Sequence, residues 1–442
     1  MKQKNWIRFL IPSLIGMFLF VTPVNQGGHM TIPVAVMAHW LLSVIEQDAL
    51  MILWVLISLS TFVTLIHRTF GIPWLHKYEK LNDLFGIKGF WLVVRVAGFM
   101  IVNMLMFEVG PDIIIGEATG GLVAEDLIPI LICVFFLAGM LLPLLLNYGL
   151  LDFFGALLIK VMRPIFNLPG RSALDCVASW LGDGSIGVLL TSKQYEEGFY
   201  SRKEATIIAT TFSAVSITFS LVIISEVGLE HLFLPFYLVV SFAGIVAAVI
   251  VPKLPPLSKI PDSYATEASH CEEIPSGMTS MQYGLQLALS KAETAPGIKA
   301  FLKDGIQTVC EMWFGTLPVI LAMGTIALIV AEYTPVFQIL GMPFIPLYKL
   351  LMIPEAQLAS QTVVVGFADM FLPSVIGSTI ESELTRFVVA ATSVTQLIYM
   401  SEIGSIIMGS KIPVSLTNLF LIFLERTIVT LPVIALFAHI IF

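Results

Sequence analysis

The chain has 442 residues, of which 57% are hydrophobic and 12% are charged, and its formal net charge is −8. Soluble domains have roughly 25% charged residues. The composition therefore excludes an ordinary water-soluble protein and predicts an all-α polytopic membrane protein, whose helices satisfy their own backbone hydrogen bonds. The cysteines form no CxxC pair and the seven histidines form no HExxH motif, so we expect neither a metal site nor a cofactor.

Nine apolar stretches are long enough to cross a bilayer, which requires roughly 20 residues. In chain order they are Trp6–Val24, Asp48–Ile66, Gly89–Phe107, Leu127–Tyr148, Glu204–Ser225, Leu232–Val251, Ile306–Ala331, Thr385–Met408 and Val414–Ile441. Alternate loops, namely Pro23–Glu46, Glu108–Asp126 and Glu226–Phe233, contain no Lys or Arg. By the positive-inside rule this pattern predicts a multi-pass protein of the cytoplasmic membrane, with its N-terminus in the cytoplasm and its C-terminus outside.

The pattern predicts four regions. Residues 1–150 form an N-terminal four-helix membrane region, and residues 151–251 and 306–442 contain two related repeats, the second of which follows a connecting span. Between them lies a polar, Pro-rich and acidic insert at residues 252–305. Its composition is typical of a solvated linker, and we interpret it as a mobile cytoplasmic connector with a helix at Met278–Lys291.

Two polar, interrupted segments carry the repeat. Leu168–Gly198 and Ile353–Glu383 each begin with an apolar-Pro pair, and each has an aspartate in its middle. A span with a Ser/Thr cluster follows each segment and carries nearly the same tetrapeptide, SEVG at Ser225–Gly228 and SEIG at Ser401–Gly404. These spans are three crossings apart, an odd number. The sequence therefore predicts inverted repeats, which in transporters surround a site near the middle of the membrane.

Backbone hydrogen bonding suggests the shape of the two segments. An open turn facing lipid would leave peptide groups unpaired, so the glycines near Asp183 favour the tip of a re-entrant hairpin beside a water-filled cavity. The N–H groups of a half-helix could bind a polar or anionic group there. We expect the hairpin at 168–198 to enter the membrane from the cytoplasm and the hairpin at 353–383 to enter from outside.

Polar residues within the spans allow two interpretations. Two stripes of polar side chains either line a cavity opposite the hairpin tips or join helices, which is a common use of such residues in membranes. The stripes are Thr206, Thr210, Ser213, Ser216 and Ser220 in the fifth span, and Thr392, Thr395, Gln396 and Tyr399 in the eighth. Glu226 and Glu402 either serve the cavity, if the helices break near Gly228 and Gly404, or lie near a membrane interface.

The same choice applies to the remaining charged residues. Asp175, Asp183 and Asp369 either contact a solute or ion or cap the hairpin helices. Arg426 in the last span either pairs with acids of the other repeat or serves snorkelling and packing.

These residues resemble a known family. The stretches DFFGALLIKVMRPIFNLPGRSALDCVASWLGDGSIG and FADMFLPSVIG, with the SEVG and SEIG pair, are similar to the nucleoside-recognition or Gate domain. That domain is shared by concentrative nucleoside transporters, ferrous iron transporter B proteins and spore maturation proteins A and B, and this sequence looks like its YjiH branch. The resemblance covers about Leu151–Phe442. The hairpin tips lack the Gln-Thr-Glu and Ala-Leu-Ser patterns of nucleoside and sodium contact.

The resemblance implies where a site would lie. Hairpin tips and broken helices form the solute and sodium sites of the nucleoside transporters. Together with the two intramembrane glutamates, the corresponding positions give the candidate binding residues Asp183, Ser185, Ser213, Ser216, Glu226, Asp369, Ser374, Thr392, Thr395, Gln396 and Glu402.

We therefore expect a secondary transporter for a small polar, nucleoside-like or other metabolite, with Na⁺ or H⁺ as a coupling ion and a homo-oligomer as an assembly. The alternative is a non-transporting membrane scaffold, with a cytoplasmic partner docked on the insert at 252–305. An enzyme is not expected, because no nucleophile–base pair or P-loop occurs, and the GxGxxG at Gly182–Gly187 lacks the βαβ unit of a dinucleotide site. Nucleic acid is not an expected partner.

Overall fold

The protein is described by a computed structural model that covers residues 2–22, 24–26, 29–71, 79–87, 89–181, 184–212, 215–266 and 278–442. The α-helices are Lys2–Val21, Pro33–Ile45, Ala49–Phe70, Glu79–Phe85, Phe90–Met106, Asp112–Ile115, Ile128–Leu141, Pro143–Leu146, Leu150–Phe166, Ser172–Leu181, Gly184–Glu196, Arg202–Ile207, Ile217–Glu226, Phe233–Ile250, Ser280–Glu293, Ile298–Cys310, Leu317–Tyr333, Val336–Gly341, Ile345–Leu350, Ala356–Val365, Leu372–Gly377, Glu383–Gln396, Ile403–Gly409 and Leu416–Ile441.

Shorter elements join these helices. The π-helical segments are Leu122–Leu127, Ile208–Phe212 and Glu311–Thr316, and the 3₁₀ turns are Glu46–Asp48, Glu230–Leu232, Val251–Lys253, Leu257–Lys259 and Met342–Phe344. One antiparallel ribbon, Val24–Gln26 with His29–Thr31, departs from the purely helical prediction.

Among the described residues, five helical stretches are long and apolar enough to cross a membrane: Pro33–Phe70, Leu122–Leu146, Glu230–Lys253, Ile298–Tyr333 and Leu416–Ile441. They overlap with five of the nine predicted spans, and the chain is a multi-pass membrane protein. The first and third predicted spans correspond to shorter apolar helices, at Asn5–Phe20 and Phe90–Met106. A further apolar helical stretch, Val336–Leu350, was not predicted.

The region predicted as the loop Pro23–Glu46 is largely helical. Pro33–Ile45 forms a helix that starts with proline in its first turn, where the missing N–H has no cost. Its apolar residues continue through the turn Glu46–Asp48 into the next helix. The lack of Lys and Arg had suggested a loop, but the charge pattern carries no information about local structure.

The helix of the insert is packed against the rest of the chain, whereas the composition had indicated a mobile connector. Its helix, Ser280–Glu293, starts with a capping box formed by Thr279 and Gln282. Gly284 and Ala288 of this helix are buried against the amphipathic helix Leu150–Phe166. Small residues allow this close approach, and the insert therefore behaves as part of the folded protein.

Two helix pairs lie where hairpins were predicted. The first hairpin consists of Ser172–Leu181 and Gly184–Glu196, and the second of Ala356–Val365 and Leu372–Gly377; the helices of each pair pack against one another. The spans that follow are interrupted. We call them the first broken helix (Arg202–Phe212 and Ile217–Glu226) and the second broken helix (Glu383–Gln396 and Ile403–Gly409).

The hairpins and broken helices pack reciprocally. The second helix of the first hairpin contacts the second half of the second broken helix. In the same way, the second helix of the second hairpin contacts the second half of the first broken helix. The helices that follow the two broken helices, Phe233–Ile250 and Leu416–Ile441, pack against each other. We call the latter the closing helix. Each hairpin with the broken helix that follows it is called a unit. The two units meet at the core of the protein, in a region that we call the junction.

Candidate functional site

The tip of the second hairpin is joined to the second broken helix through Asp369. One carboxylate oxygen of Asp369 accepts hydrogen bonds from the backbone N–H groups of Phe371 (2.7 Å) and Leu372 (3.1 Å), where the second hairpin helix begins. The other accepts from the hydroxyl of Ser401 at 2.7 Å. Asp369 is buried, so it caps its own hairpin and also holds the SEIG tetrapeptide.

Backbone hydrogen bonds strengthen the same connection. The second broken helix is interrupted between Gln396 and Ile403, and Leu397 has a left-handed backbone with φ of +64°. Within the break, the N–H of Met400 donates to the carbonyl of Phe367 and the N–H of Ser401 donates to the carbonyl of Ala368, both at 2.8 Å. The interruption therefore does not leave these groups unpaired, which is the condition for irregular backbone inside a membrane protein.

Gln396 and Thr395 lie in the last turn before this break. The amide nitrogen of Gln396 donates to the carbonyl of Val363 (2.9 Å) in the second hairpin and to the hydroxyl of Thr427 (3.0 Å) in the closing helix. The hydroxyl of Thr395 lies 3.2 Å from that of Thr430, also in the closing helix. These polar groups hold hairpin, broken helix and closing helix together.

Arg426 reaches both broken helices from the closing helix. Its guanidinium donates to the carbonyl of Thr395 through Nε (2.9 Å) and Nη2 (2.7 Å), and to the carbonyl of Thr211 through Nη1 (2.7 Å). Only 2% of the residue is exposed. Among the described residues, Arg426 binds backbone carbonyls and not the acids of the other repeat, which was one of its two interpretations. In the described part of the chain no carboxylate forms an ion pair with it, because carbonyls at the ends of two half-helices occupy its donors.

The first hairpin is fastened within itself. The buried carboxylate of Asp175, on its first helix, accepts from the hydroxyl of Thr191 (2.9 Å) and the amide of Gln194 (2.8 Å), both on its second helix. The hydroxyl of Tyr200, just beyond the hairpin, donates to the same carboxylate at 3.1 Å. Asp175 therefore joins the two hairpin helices near their base.

The tip of the first hairpin faces the second break. A Cβ atom on Gly184 would lie 2.8 Å from Cδ1 of Ile403, the first residue after that break. Ser185 is fully buried in the first turn of the same hairpin helix. Asp183, predicted at this tip, lies outside the described residues.

The described hydroxyls of the first broken helix form hydrogen bonds within that helix. Ser216 is the N-cap of its second half and accepts from the N–H of Phe219 at 3.3 Å. The hydroxyls of Thr206, Thr210 and Ser220 donate to backbone carbonyls one turn earlier, a common arrangement of Ser and Thr in helices. Ser213 lies outside the described residues.

The two glutamates of the tetrapeptides differ in location. Glu226 is exposed at the end of the first broken helix, ten residues after Ser216 and therefore about 15 Å along the helix. Glu402 lies inside the second break, where its carboxylate accepts from the hydroxyl of Tyr399 at 3.0 Å. The break expected near Gly228 is displaced, because the first broken helix is interrupted before residue 217. The second broken helix is interrupted at 397–402, which ends two residues before Gly404.

The structure therefore brings most of the described candidates to one junction, and Glu226 stands apart. Thr392 is buried on the second broken helix, one turn before the break. Ser374 is buried in the second hairpin, with its hydroxyl donating to the carbonyl of Phe371. The sequence did not indicate Thr427, Thr430 or the carbonyl-binding role of Arg426. Their spacing on the closing helix, at positions i, i+1 and i+4, is the signal that could have identified them together.

Comparisons with known proteins bear on this region. A family model described as "Gate: Nucleoside recognition" matches residues 128–230. The match includes the first hairpin and the first broken helix, starts earlier than the expected Leu151 and ends before the second repeat. A solved structure of a CNTnw variant in an outward-facing state aligns with 99% of this chain and all of that chain, at 11% identity and a TM-score of 0.40.

A curated relative extends over the whole chain. The uncharacterized protein BpOF4_10220 of Alkalihalophilus pseudofirmus is 50% identical over 444 residues, which cover 100% of this chain and 96% of the relative. At this identity and coverage, the chain belongs to the same family as BpOF4_10220.

Proposed function

We propose that the protein is a secondary transporter that moves a small polar solute across the cytoplasmic membrane. The observation that carries the proposal is the junction itself. Two hairpins and two broken helices meet there through buried polar groups, among them Asp369, Gln396 and Arg426. Interrupted helices that meet around buried polar groups are characteristic of transporter sites, and a merely structural bundle would be served better by continuous helices.

An inverted-repeat arrangement is part of the proposal. The reciprocal packing of each hairpin on the other unit's broken helix is what a two-fold relation between the units would produce. We infer that the hairpins enter the membrane from opposite sides, with the N-terminus in the cytoplasm and the C-terminus outside. Accessibility of single cysteines at the two hairpin bases to impermeant reagents tests this, and labelling of both bases from the same side would contradict it.

The chemistry of the junction supports an uncharged polar solute. Asp369 already accepts three hydrogen bonds and Arg426 already donates three. The buried amide oxygen of Gln396, which has no hydrogen-bond partner among the described residues, remains as a recognition group, and it suits a ligand that carries hydroxyl or amide donors, such as a nucleoside. The carboxylate of Glu402 lies inside the second break. We propose that it binds the Na⁺ or H⁺ whose movement drives transport of the solute.

The insert favours transport over the scaffold alternative. The buried face of its helix is covered by this chain's own helix Leu150–Phe166. A docking segment for another protein would instead be expected to leave its apolar face open for that partner.

Uptake into proteoliposomes tests the proposal. Purified protein is reconstituted, and accumulation of a panel of nucleosides, amino acids and dipeptides is followed by mass spectrometry under imposed Na⁺ or pH gradients. We expect one solute class to accumulate. When that solute is supplied in isotope-labelled form, an excess of the unlabelled solute should reduce the accumulated label. Accumulation of no solute by folded protein would contradict transport of these classes.

A reversible cross-link between the first hairpin tip and the second break tests whether uptake depends on movement at the junction. In a background without the four native cysteines, Gly184→Cys with Ile403→Cys places two thiols where the first hairpin tip meets the second break. Oxidation should abolish uptake, and a reductant should restore it in the same vesicles. Each single-cysteine variant should be insensitive to both treatments. Unchanged uptake in the oxidised, demonstrably cross-linked protein would show that this junction does not move.

A further inference from the structure

We propose that Arg426 is a positioning residue that locks the two helix breaks to each other, so that the breaks move as one unit while the first hairpin moves against them. This deepens the proposed function, on which it rests for its consequence in transport. The locking itself can be tested without any solute.

The hydrogen bonds of Arg426 join one carbonyl of each broken helix, an arrangement that we call the clamp. Thr211 lies in the π segment that ends the first half of the first broken helix, and Thr395 lies in the last turn of the first half of the second. One planar guanidinium binds both carbonyls at distances of 2.7–2.9 Å. The donors of arginine are held in a rigid fork, so the two carbonyls cannot separate without breaking hydrogen bonds inside the protein core.

Electrostatics explains why a buried cation is tolerated here. The C-terminal end of a helix carries a partial charge of roughly −0.5. Two such ends therefore offer about −1 to a guanidinium of +1, which approximately balances it without a carboxylate. The same balance argues against a role in attracting an anionic solute, because the positive charge is already matched by the protein.

The neighbouring residues support the same role. Thr430, one turn further along the closing helix, lies within hydrogen-bonding distance of the hydroxyl of Thr395, and Thr427 accepts from Gln396. Both threonines donate their own hydroxyls to carbonyls of the closing helix, including that of Arg426. The closing helix therefore presents a rigid polar face to the breaks, and Arg426 is the member of that face that also reaches the first broken helix.

Hydrogen exchange on the intact protein in detergent tests the clamp directly. Under mild denaturant, peptides containing Ile207–Phe212 and peptides containing Leu397–Ile403 should open with one shared free energy, and peptides of the first hairpin should open with another. Different opening free energies for the two breaks would overturn the proposal.

A pair of buried-arginine variants sharpens the test. In Arg426→Gln, exchange should accelerate at both breaks together, by at least about tenfold. Arg95→Gln is the matched control, because Arg95 is equally buried but donates to Thr64 and to the carbonyl of Leu84, away from the breaks. Acceleration at one break only, or the same pattern in Arg95→Gln, would contradict the clamp.

The conservative variant separates positioning from bulk stability. Arg426→Lys retains the charge but loses the planar fork, so it should protect one break and release the other. If Arg426→Gln does not fold, this variant and the shared opening energy of the unmodified protein still decide the question. Once a solute is known, Arg426→Lys should lower the maximal uptake rate with little change in apparent KM. Absence of transport by the unmodified protein would defeat the proposed function and leave the exchange result intact.

Discussion

The two hairpin units follow the same order of elements but are fastened at different points. In the first, Asp175 joins the two hairpin helices near their base, and described residues at the tip make a close apolar approach, Gly184 to Ile403. In the second, the tip is bonded to the adjacent break through Asp369 and two backbone pairs. The base of the second hairpin is also closed, by the carboxylate of Glu355 accepting from the N–H of Ser382 at 2.9 Å.

This difference indicates which unit can move. The second hairpin is tied to its broken helix at both ends, so the two form one body. The first hairpin is a stiff pair held at its base, where the insert also makes contact. Phe199 lies under the guanidinium of Arg171 at 3.6 Å and near the ammonium of Lys291 at 5.2 Å. We interpret the first hairpin as the moving gate and the second as part of the frame.

Replacement of Asp175 should give the largest loss of stability. Asp175→Val removes a buried acceptor for Thr191, Gln194 and Tyr200. Hydrogen bonds to charged groups contribute about 1.5–3 kcal/mol each. Because Thr191 and Gln194 keep other partners, we expect a loss of about 3–5 kcal/mol in the free energy of unfolding, measured by chemical unfolding in detergent.

The exposed Asp262 is the matched control for this carboxylate. Asp262→Val should change stability by no more than about 0.5 kcal/mol. If Asp175→Val were equally mild, the first hairpin would not depend on its carboxylate, and the contrast between the two units would disappear.

Asp369→Ala should destabilise less, although it too removes three hydrogen bonds. The backbone pairs from Met400 and Ser401 to the hairpin tip remain in the variant. Loss of a helix-capping side chain costs about 0.5–2 kcal/mol, and loss of the Ser401 contact adds about 1 kcal/mol. We expect a total of about 2–3 kcal/mol. Asp369→Asn, which keeps an oxygen for the capping bonds, should recover more than half of that loss in the same unfolding measurement.

The sequence predicted the arrangement of these units better than their internal connections. Two interrupted polar segments, one of them around Asp369, predicted the hairpins. The repeated SEVG and SEIG tetrapeptides predicted that interrupted spans follow them, because breaks inside a membrane require glycines and polar side chains. The position of the first break, expected near Gly228, was displaced. A helix ends where its carbonyls find other partners, and the partner here, Arg426, comes from an element 31 residues after Thr395 and 215 after Thr211.

For the insert, the sequence predicted the helix but not the packing of that helix against the rest of the chain. Its Pro-rich, acidic composition indicated a solvated linker, and its helix was predicted close to where it lies. Composition averages over a segment, so it did not show that Gly284 and Ala288 form a small-residue face against Leu150–Phe166. Packing of this kind depends on a complementary surface elsewhere in the chain.

Gly366→Ala tests how tightly the second hairpin tip is joined to its broken helix. A Cβ atom at Gly366 would overlap the amide oxygen of Gln396, whose nitrogen is held by Val363 and Thr427. The amide cannot shift without losing these bonds, so we expect a loss of about 2 kcal/mol in the free energy of unfolding. Gly244→Ala is the control: an added Cβ meets no atom within 4 Å of Gly244, and the helix propensity of alanine should give about 0.5–1 kcal/mol of stabilisation.

The smallest effect should come from Ser401→Ala, which removes one bond of the second tip and leaves the others. The hydroxyl of Ser401 donates to Asp369 across 32 residues, and Asp369 keeps both backbone donors without it. We expect a loss of about 1 kcal/mol. Ser393→Ala is the matched control, because the hydroxyl of Ser393 donates to the carbonyl of Ala390 in its own helix, and its loss should be close to neutral.

Hydrogen exchange locates the Ser401→Ala effect. If the second hairpin and its broken helix form one body, Ser401→Ala should speed exchange in the second tip and the second break together, and peptides of the first hairpin should be unaffected. Faster exchange in the first hairpin instead would reverse the assignment of gate and frame.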